Sequence, residues 1–192
     1  MNTTLTNTET QPRIFITDYA SYNDGSQFKF GHWLDLSKFS DTQELEEYLE
    51  DYFNKADNKR PLDSPREEWM ITDFEGFPKV FYSESYSPDL MESLFTWLGL
   101  ACENYQFQYA FEFIFWYEHK PNLDYAIERA EDLVMYGEGF EDWEIFEMYY
   151  PDAEKLTESN PYLSIDYAGF ISDTFIEWTA EDGSKFYVDH NY

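Results

Sequence analysis

Cysteine is almost missing: Cys102 is the single one in 192 residues, so no disulfide can form within the chain and a reducing compartment is expected. Basic residues are scarce as well, 12 Lys and Arg against 40 Asp and Glu, which leaves a formal net charge of −28 and none of the positive excess that direct nucleic-acid binding needs. No uninterrupted apolar run approaches the roughly 20 residues of a membrane span. The opening stretch MNTTLTNTETQP has neither the basic start nor the apolar run of a secretion signal, and residues 1–12 are expected to form a flexible tail. Together these absences predict a cytoplasmic protein that does not engage membranes.

What is plentiful is aromatic and acidic. Hydrophobic residues make up 43% of the chain and aromatic residues 21%, so a core can be built largely from rings, each burying on the order of 150–250 Å². The acids come at a cost, because two unit charges about 6 Å apart in water repel by roughly 0.7 kcal/mol before salt screens them. Solubility is served by a net charge of about 2–8 in a small domain. A value of −28 therefore points to something outside the fold that the charge serves. The densest region, Asn122 to Ser159, sets twelve carboxylates against Arg129 and Lys155, yet interleaves them with Ile127, Leu133, Phe140, Trp143, Ile145 and Phe146. That apolar content predicts a folded region and not a solvating acidic tail.

Periodicity predicts an α+β chain of two to three small domains with a strongly acidic surface. The segment RIFITDYASYNDGSQFKFGHWLDL reads as a hairpin, with one strand through Ile14 and Ile16, a turn at Asn23-Asp24-Gly25, and a second strand through Phe28, Phe30 and Trp33. DTQELEEYLEDYFNKA reads as a helix capped at Asp41, with Leu45, Tyr48, Leu49, Tyr52 and Phe53 on one face and Glu46, Glu47, Glu50 and Asp51 on the other. A polar loop bearing Lys55, Lys59, Arg60 and Arg66 follows, and then a strand in EEWMITDFEG. Ser87-Pro88 marks a helix start. Phe107, Phe111 and Phe115 recur at helical spacing in YQFQYAFEFIFWYEHK, and Cys102 is expected as a buried thiol among Leu98, Leu100 and Ala101. LDYAIERAEDLVMYG and FEDWEIFEMYYPD read as two further helices, and the remainder as strands turning at Asp182-Gly183. The expected divisions are an α+β domain over 13–85, a helical middle over 86–121 and an acidic α+β domain over 122–192.

Motifs for chemistry fail one by one. Asp24-Gly25 and Asp182-Gly183 suggest calcium loops, but Ala20 and Tyr22, or Trp178 and Ala180, stand where ligating oxygens are required. His32, His119 and His190 have no metal-ligand spacing, so no metal is expected. Gly137-Glu138-Gly139 opens a dinucleotide fingerprint that Asp142 breaks, and no phosphate loop or nucleophile elbow occurs. Neither a catalytic residue nor a cofactor is predicted.

The acids themselves carry the remaining signal. Helical positions i and i+4 hold side chains about 5–6 Å apart, so Glu46/Glu50, Glu47/Asp51, Asp124/Glu128 and Glu128/Asp132 form rows that imitate successive phosphates. Twenty-eight charges correspond to roughly 48 Å of duplex at one per about 1.7 Å of axis, whereas a compact globule of this length has a radius of gyration of only about 16 Å, which favours an elongated molecule.

Two blocks, RIFITDYASYNDGSQFKFGHWLDL and ITDFEGF, resemble the N-terminal signature of the ArdA antirestriction proteins. EDLVMYGEGFEDWEIFEMYY and YLSIDYAGFISD resemble the C-terminal region of that family. The resemblance spans residues 13 to 175. It implies a non-enzymatic, elongated, curved homodimer of small α+β domains that mimics bent DNA. Such a protein blocks the specificity and methylase core of Type I restriction-modification enzymes and is often borne on plasmids, phages or conjugative elements. Carried over to matching positions, the phosphate-mimicking groups are Asp124, Glu128, Glu131, Asp132, Glu138, Glu141, Asp142, Glu144 and Glu147. Two other readings stay open: an acidic module for a different basic protein, and a hydrolase using a carboxylate pair in a concave pocket. A proteome adapted to brine would also explain acid excess.

Overall fold

The computed structural model describes residues 11–160 and 162–189. The tail expected over residues 1–12 falls outside these up to residue 10, as does His190. The fold is mixed α+β, about 53% helix with two small three-stranded sheets. Two compact units divide the chain, Met1–Gly99 and Leu100–Tyr192.

In the first unit, β1 (Arg13–Asp18) is the central strand of an antiparallel sheet, flanked by β2 (His32–Asp35) and β3 (Trp69–Glu75). The expected strand through Phe28, Phe30 and Trp33 is corrected: only His32–Asp35 forms β2, pairing Ile14 with Leu34 and Phe15 with Trp33. The intervening residues fold into two short helices, α1 (Tyr19–Asn23) and α2 (Gln27–Phe30). The reason is local. Asp18 ends β1 by accepting a hydrogen bond from Ser21 N at 2.6 Å, a cap that starts a helix before alternation can continue the strand. The anticipated turn is present, with Gly25 at φ 74°, but it joins helices.

Helix α3 (Thr42–Lys59) is capped by Asp41, whose carboxylate accepts from Glu44 N at 2.9 Å. Glu44 in turn accepts from Ser40 N at 2.7 Å, which fixes the chain entering the helix. Leu45, Leu49, Phe53 and Ala56 are buried, whereas Tyr48 lies at the edge of the stripe, 37% exposed, with its hydroxyl 3.1 Å from His32 Nε2. Strand β3 (Trp69–Glu75) completes the sheet, its register to β1 shifting between Phe15 and Ile16. Phe81, Met91, Leu94 and Trp97 extend the core onto α4 (Pro88–Glu103), within which the boundary between the units falls. Cys102, on its last turn, is exposed, against the expectation of a buried thiol.

The second unit is built on a sheet in which β6 (Lys185–Asp189) lies between β4 (Met135–Gly137) and β5 (Phe175–Thr179). Helix α5 (Tyr105–Tyr117) confirms the helical reading of the aromatic run and buries Phe107, Ala110, Phe111, Phe113 and Ile114. Helix α6 (Leu123–Asp132) is shorter than predicted. Leu133 turns extended and Met135–Gly137 forms β4, because pairing with β6 at Met135↔Val188 and Tyr136↔Tyr187 outweighs the helical period. After α7 (Asp142–Tyr149) and α8 (Ala153–Ser159) comes α9 (Tyr167–Thr174), where strands were expected. Asp166 caps it by accepting from Gly169 N at 2.9 Å.

The hairpin of β5 (Phe175–Thr179) and β6 (Lys185–Asp189) turns at Gly183, whose φ of 91° suits glycine. Helices cover both faces of this sheet. Trp178 and Phe186 meet Phe113 and Tyr109 of α5 on one face, with ring centroids 5.6 and 4.6 Å apart. On the other, Ile145, Ile171 and Phe175 form a buried cluster with Tyr136, Tyr149, Phe170 and Tyr187 packed around it.

Candidate functional site: outward acidic faces

Helix α6 shows most clearly how this sequence separates core from charge. Asn122 starts it by accepting from Asp124 N at 3.0 Å and Tyr125 N at 3.3 Å, which fixes the phase of the helix. Ala126, Ile127 and Ala130 then face the interior, with α5 as the neighbour. Small alanines allow close approach there. Asp124, Glu128, Glu131 and Asp132 are all exposed, three of them spaced four residues apart along one line. Arg129 is half-buried among them and engages the Tyr125 hydroxyl.

Glu138 lies exposed on the turn after β4. Glu141, Asp142 and Glu144 gather at the start of α7, where the partial positive charge of a helix N-terminus favours carboxylates. Glu144 accepts from Glu141 N at 2.9 Å, so part of its hydrogen-bonding capacity is committed to the cap. Glu147 is half-buried one turn on. Its carboxyl is held above the ordinary carboxylate range, first by desolvation and then by Glu154 and Glu144. Like charges here crowd each other.

On α3 the picture differs. Glu47 and Glu50 point outward, with Gln43 Nε2 donating to Glu47 at 2.8 Å. Glu46 is half-buried and accepts from the Tyr86 hydroxyl at 3.3 Å, and Asp51 is ion-paired with Lys55. Only Glu47 and Glu50 of the four expected groups are presented without a cation or a half-buried anchor. All four belong to the first unit, and the other nine predicted groups belong to the second.

Several groups that matter electrostatically were not singled out in the sequence. Arg66 is the main one. Its side chain is fully buried, donating from Nε to Ser21 Oγ at 2.9 Å and from Nη1 to Arg60 O at 2.9 Å, pairing with Asp57, and lying 4.4 Å over the Phe30 ring. Asp18, also buried, sits 3.8 Å from it. A basic residue directly after Pro65 and before Glu67 and Glu68 in a polar loop reads as solvated, and nothing local marks it as a core ion. In the second unit Glu112 accepts from Glu181 N at 2.7 Å, and desolvation pushes its carboxyl upward. Glu177 is exposed on β5, a position its alternation with Ile176 and Trp178 could have revealed.

Among the described residues, no group of three or more His, Cys, Asp and Glu is placed to hold a metal ion, and no helix is long and apolar enough to cross a membrane. The distinctive equipment of the molecule is thus carboxylates displayed on helices of a small-sheet α+β scaffold. In a comparison with protein families, residues 14–189 match the one described as Antirestriction protein (ArdA). The chain belongs to that family, whose antirestriction activity is directed against type I restriction-modification enzymes and whose members are inhibitors. Comparison with curated proteins and with solved structures found no match.

Proposed function

We propose that the protein inhibits by DNA mimicry: its carboxylates occupy phosphate positions in the DNA-binding groove of a type I restriction-modification enzyme and exclude the duplex. The observation that carries this reading is the α6 row, Asp124, Glu128 and Asp132 with Glu131 beside it, exposed on a helix whose opposite face is buried. Folded side chains four residues apart hold their charges about 5–6 Å apart, a spacing a DNA-binding groove is built to meet. Because the helix fixes that spacing before binding, little entropy is lost when the groove engages it. Glu138, Glu141, Asp142, Glu144 and Glu147 continue the negative surface, and Glu47 and Glu50 supply a second row in the first unit. The partner surface is the enzyme's specificity and methylase core, and the acting form is an elongated homodimer in the cytoplasm. No cofactor and no contact with nucleic acid enter the mechanism.

Competition tests the proposal. A labelled duplex bound to a type I methylase core should be displaced by near-stoichiometric amounts of the protein. Duplex that stays bound under a large excess would refute mimicry while leaving the family's inhibitory activity to be explained by another surface.

A further inference from the structure

We propose that the free edge of β5 is a docking strand, which takes up an extended lysine- or arginine-bearing segment of a protein partner by strand addition. This goes beyond phosphate mimicry, since backbone pairing is something a duplex cannot offer, and it does not depend on that reading.

The edge is defined by the ladder. β5 is the outer strand of the order β4-β6-β5, paired on one side only among the described residues. Ala180 N donates to Ser184 O at 2.8 Å, so Ala180 faces β6. By the two-residue alternation of an antiparallel ladder, Trp178 and Ile176 face it as well. Asp189 N instead donates to Val134 O at 3.2 Å, away from β5, which fixes the same phase from the other strand. Glu177 and Thr179 therefore turn their N–H and C=O groups outward, and both residues are exposed.

Open edges are usually blunted by lysine, proline or a covering loop. Here the surroundings select an occupant. Two grooves are lined in part by β5, one on the side of α5 and one that runs inward over β6 toward the loop after β4. One is lined by Glu112, Trp116, Glu177 and Glu181 with Lys120, and the other by Glu138, Glu141, Asp142 and Glu177 with Lys185. Six carboxylates thus face two ammonium groups. An added strand sends alternate side chains to the two faces of the sheet, where a lysine or arginine on the α5 side would meet Glu112 and Glu181 and one on the other face would lie beside Glu177. Trp116, 55% exposed, offers its ring to a cation in the first groove. The same charge works against a second copy of this chain, because edge-to-edge pairing would bring two Glu177 carboxylates and their acidic flanks together.

The probe is a fluorescein-labelled eight-residue peptide alternating lysine and valine, followed by fluorescence anisotropy. Its counterpart has the same sequence with alternate backbone amides N-methylated, which keeps the charge and removes one hydrogen-bonding edge. The proposal predicts that N-methylation weakens binding at least tenfold. Thr179→Pro, which deletes an outward N–H that β6 does not use, should weaken it similarly at unchanged Tm. Hydrogen exchange at Glu177 and Thr179 should be fast in the free protein and slowed by the peptide. Equal binding of both peptides would overturn the proposal in favour of charge alone, and that comparison stands even if Thr179→Pro does not fold. Sedimentation showing a dimer that Thr179→Pro dissociates would overturn it in favour of a second copy.

Discussion

The two units handle the same excess of acid in different ways. Up to residue 99 the chain has 19 Asp and Glu against 8 Lys and Arg, and from residue 100 it has 21 against 4. The first unit uses four of its eight bases in internal pairs: Arg13 with Glu75, Lys55 with Asp51, Arg60 with Asp24, and Arg66 with Asp57 and Asp18. In the second unit Lys155 pairs with Asp152. Cations in the first unit thus serve its own architecture, down to a buried guanidinium. The second unit sets acids in the first turns of α6 and α7 and lets others accept from tyrosine hydroxyls, as Glu118, Asp182 and Asp189 do. Net charge alone therefore does not say which acids are available: several in the first unit are held by its own bases, and exposure on a regular element such as α6 has to be read beside it.

The sharpest break in this comparison is expected at Arg66. Arg66→Ala strands Asp18 in an interior where it is 0% exposed, and removing one partner of a buried pair costs about 3–5 kcal/mol. Urea denaturation should show that loss, and hydrogen exchange should place it in β1 to β3, with the second unit protected as before. Next comes Ile145→Ala, which hollows the cluster with Ile171 and Phe175 and is expected to cost about 2–5 kcal/mol in the second unit. Neutralising Glu128, Glu131, Asp132 and Glu138 together should weaken binding to a methylase core by roughly ten- to a hundredfold, at about 0.2–1 kcal/mol per exposed charge. The matched change at Glu46, Glu47, Glu50 and Asp51 should do less, because two of those are already engaged. Glu50→Gln alone should alter binding no more than about twofold.

The smallest effect is that of pH. The carboxyls of Glu112 and Glu147 are raised above 4.5 in the fold, so the native state holds protons there that the unfolded chain has released. Stability from these groups therefore falls as pH rises through their folded range. Asp182, held below 3.8 by hydrogen bonds from Ser184 N and Tyr109, acts oppositely: its contribution is lost as pH falls below that value. Tm followed by exchange protection of β5 and β6 should thus be higher near pH 5 than near pH 7.5, and should drop again under strong acid.

Much of this was legible in residue order and some was not. Helices α3 and α5 could be read because period and capping agree there. Three misses trace to a short-range cap or a long-range pairing that overrode local pattern: Asp18 ended β1 in α1, Asp166 replaced a strand with α9, and β6 recruited Met135–Gly137 out of a helix. The acids of α6 were readable as a face because Ala126, Ile127 and Ala130 define its opposite. Which acids are compensated was not, since Tyr86 reaches Glu46 across 40 positions and Arg66 reaches Ser21 across 45.

The central claim is that uncompensated carboxylates of the second unit provide the binding. The most direct measurement is the affinity for a type I methylase core across a salt titration, for the unaltered protein and for the fourfold variant of each unit. A steep loss of affinity with salt is predicted, with a slope that shrinks in the second-unit variant and stays nearly unchanged in the first-unit variant. Affinity that ignores salt, or slopes that shrink equally in both, would contradict it.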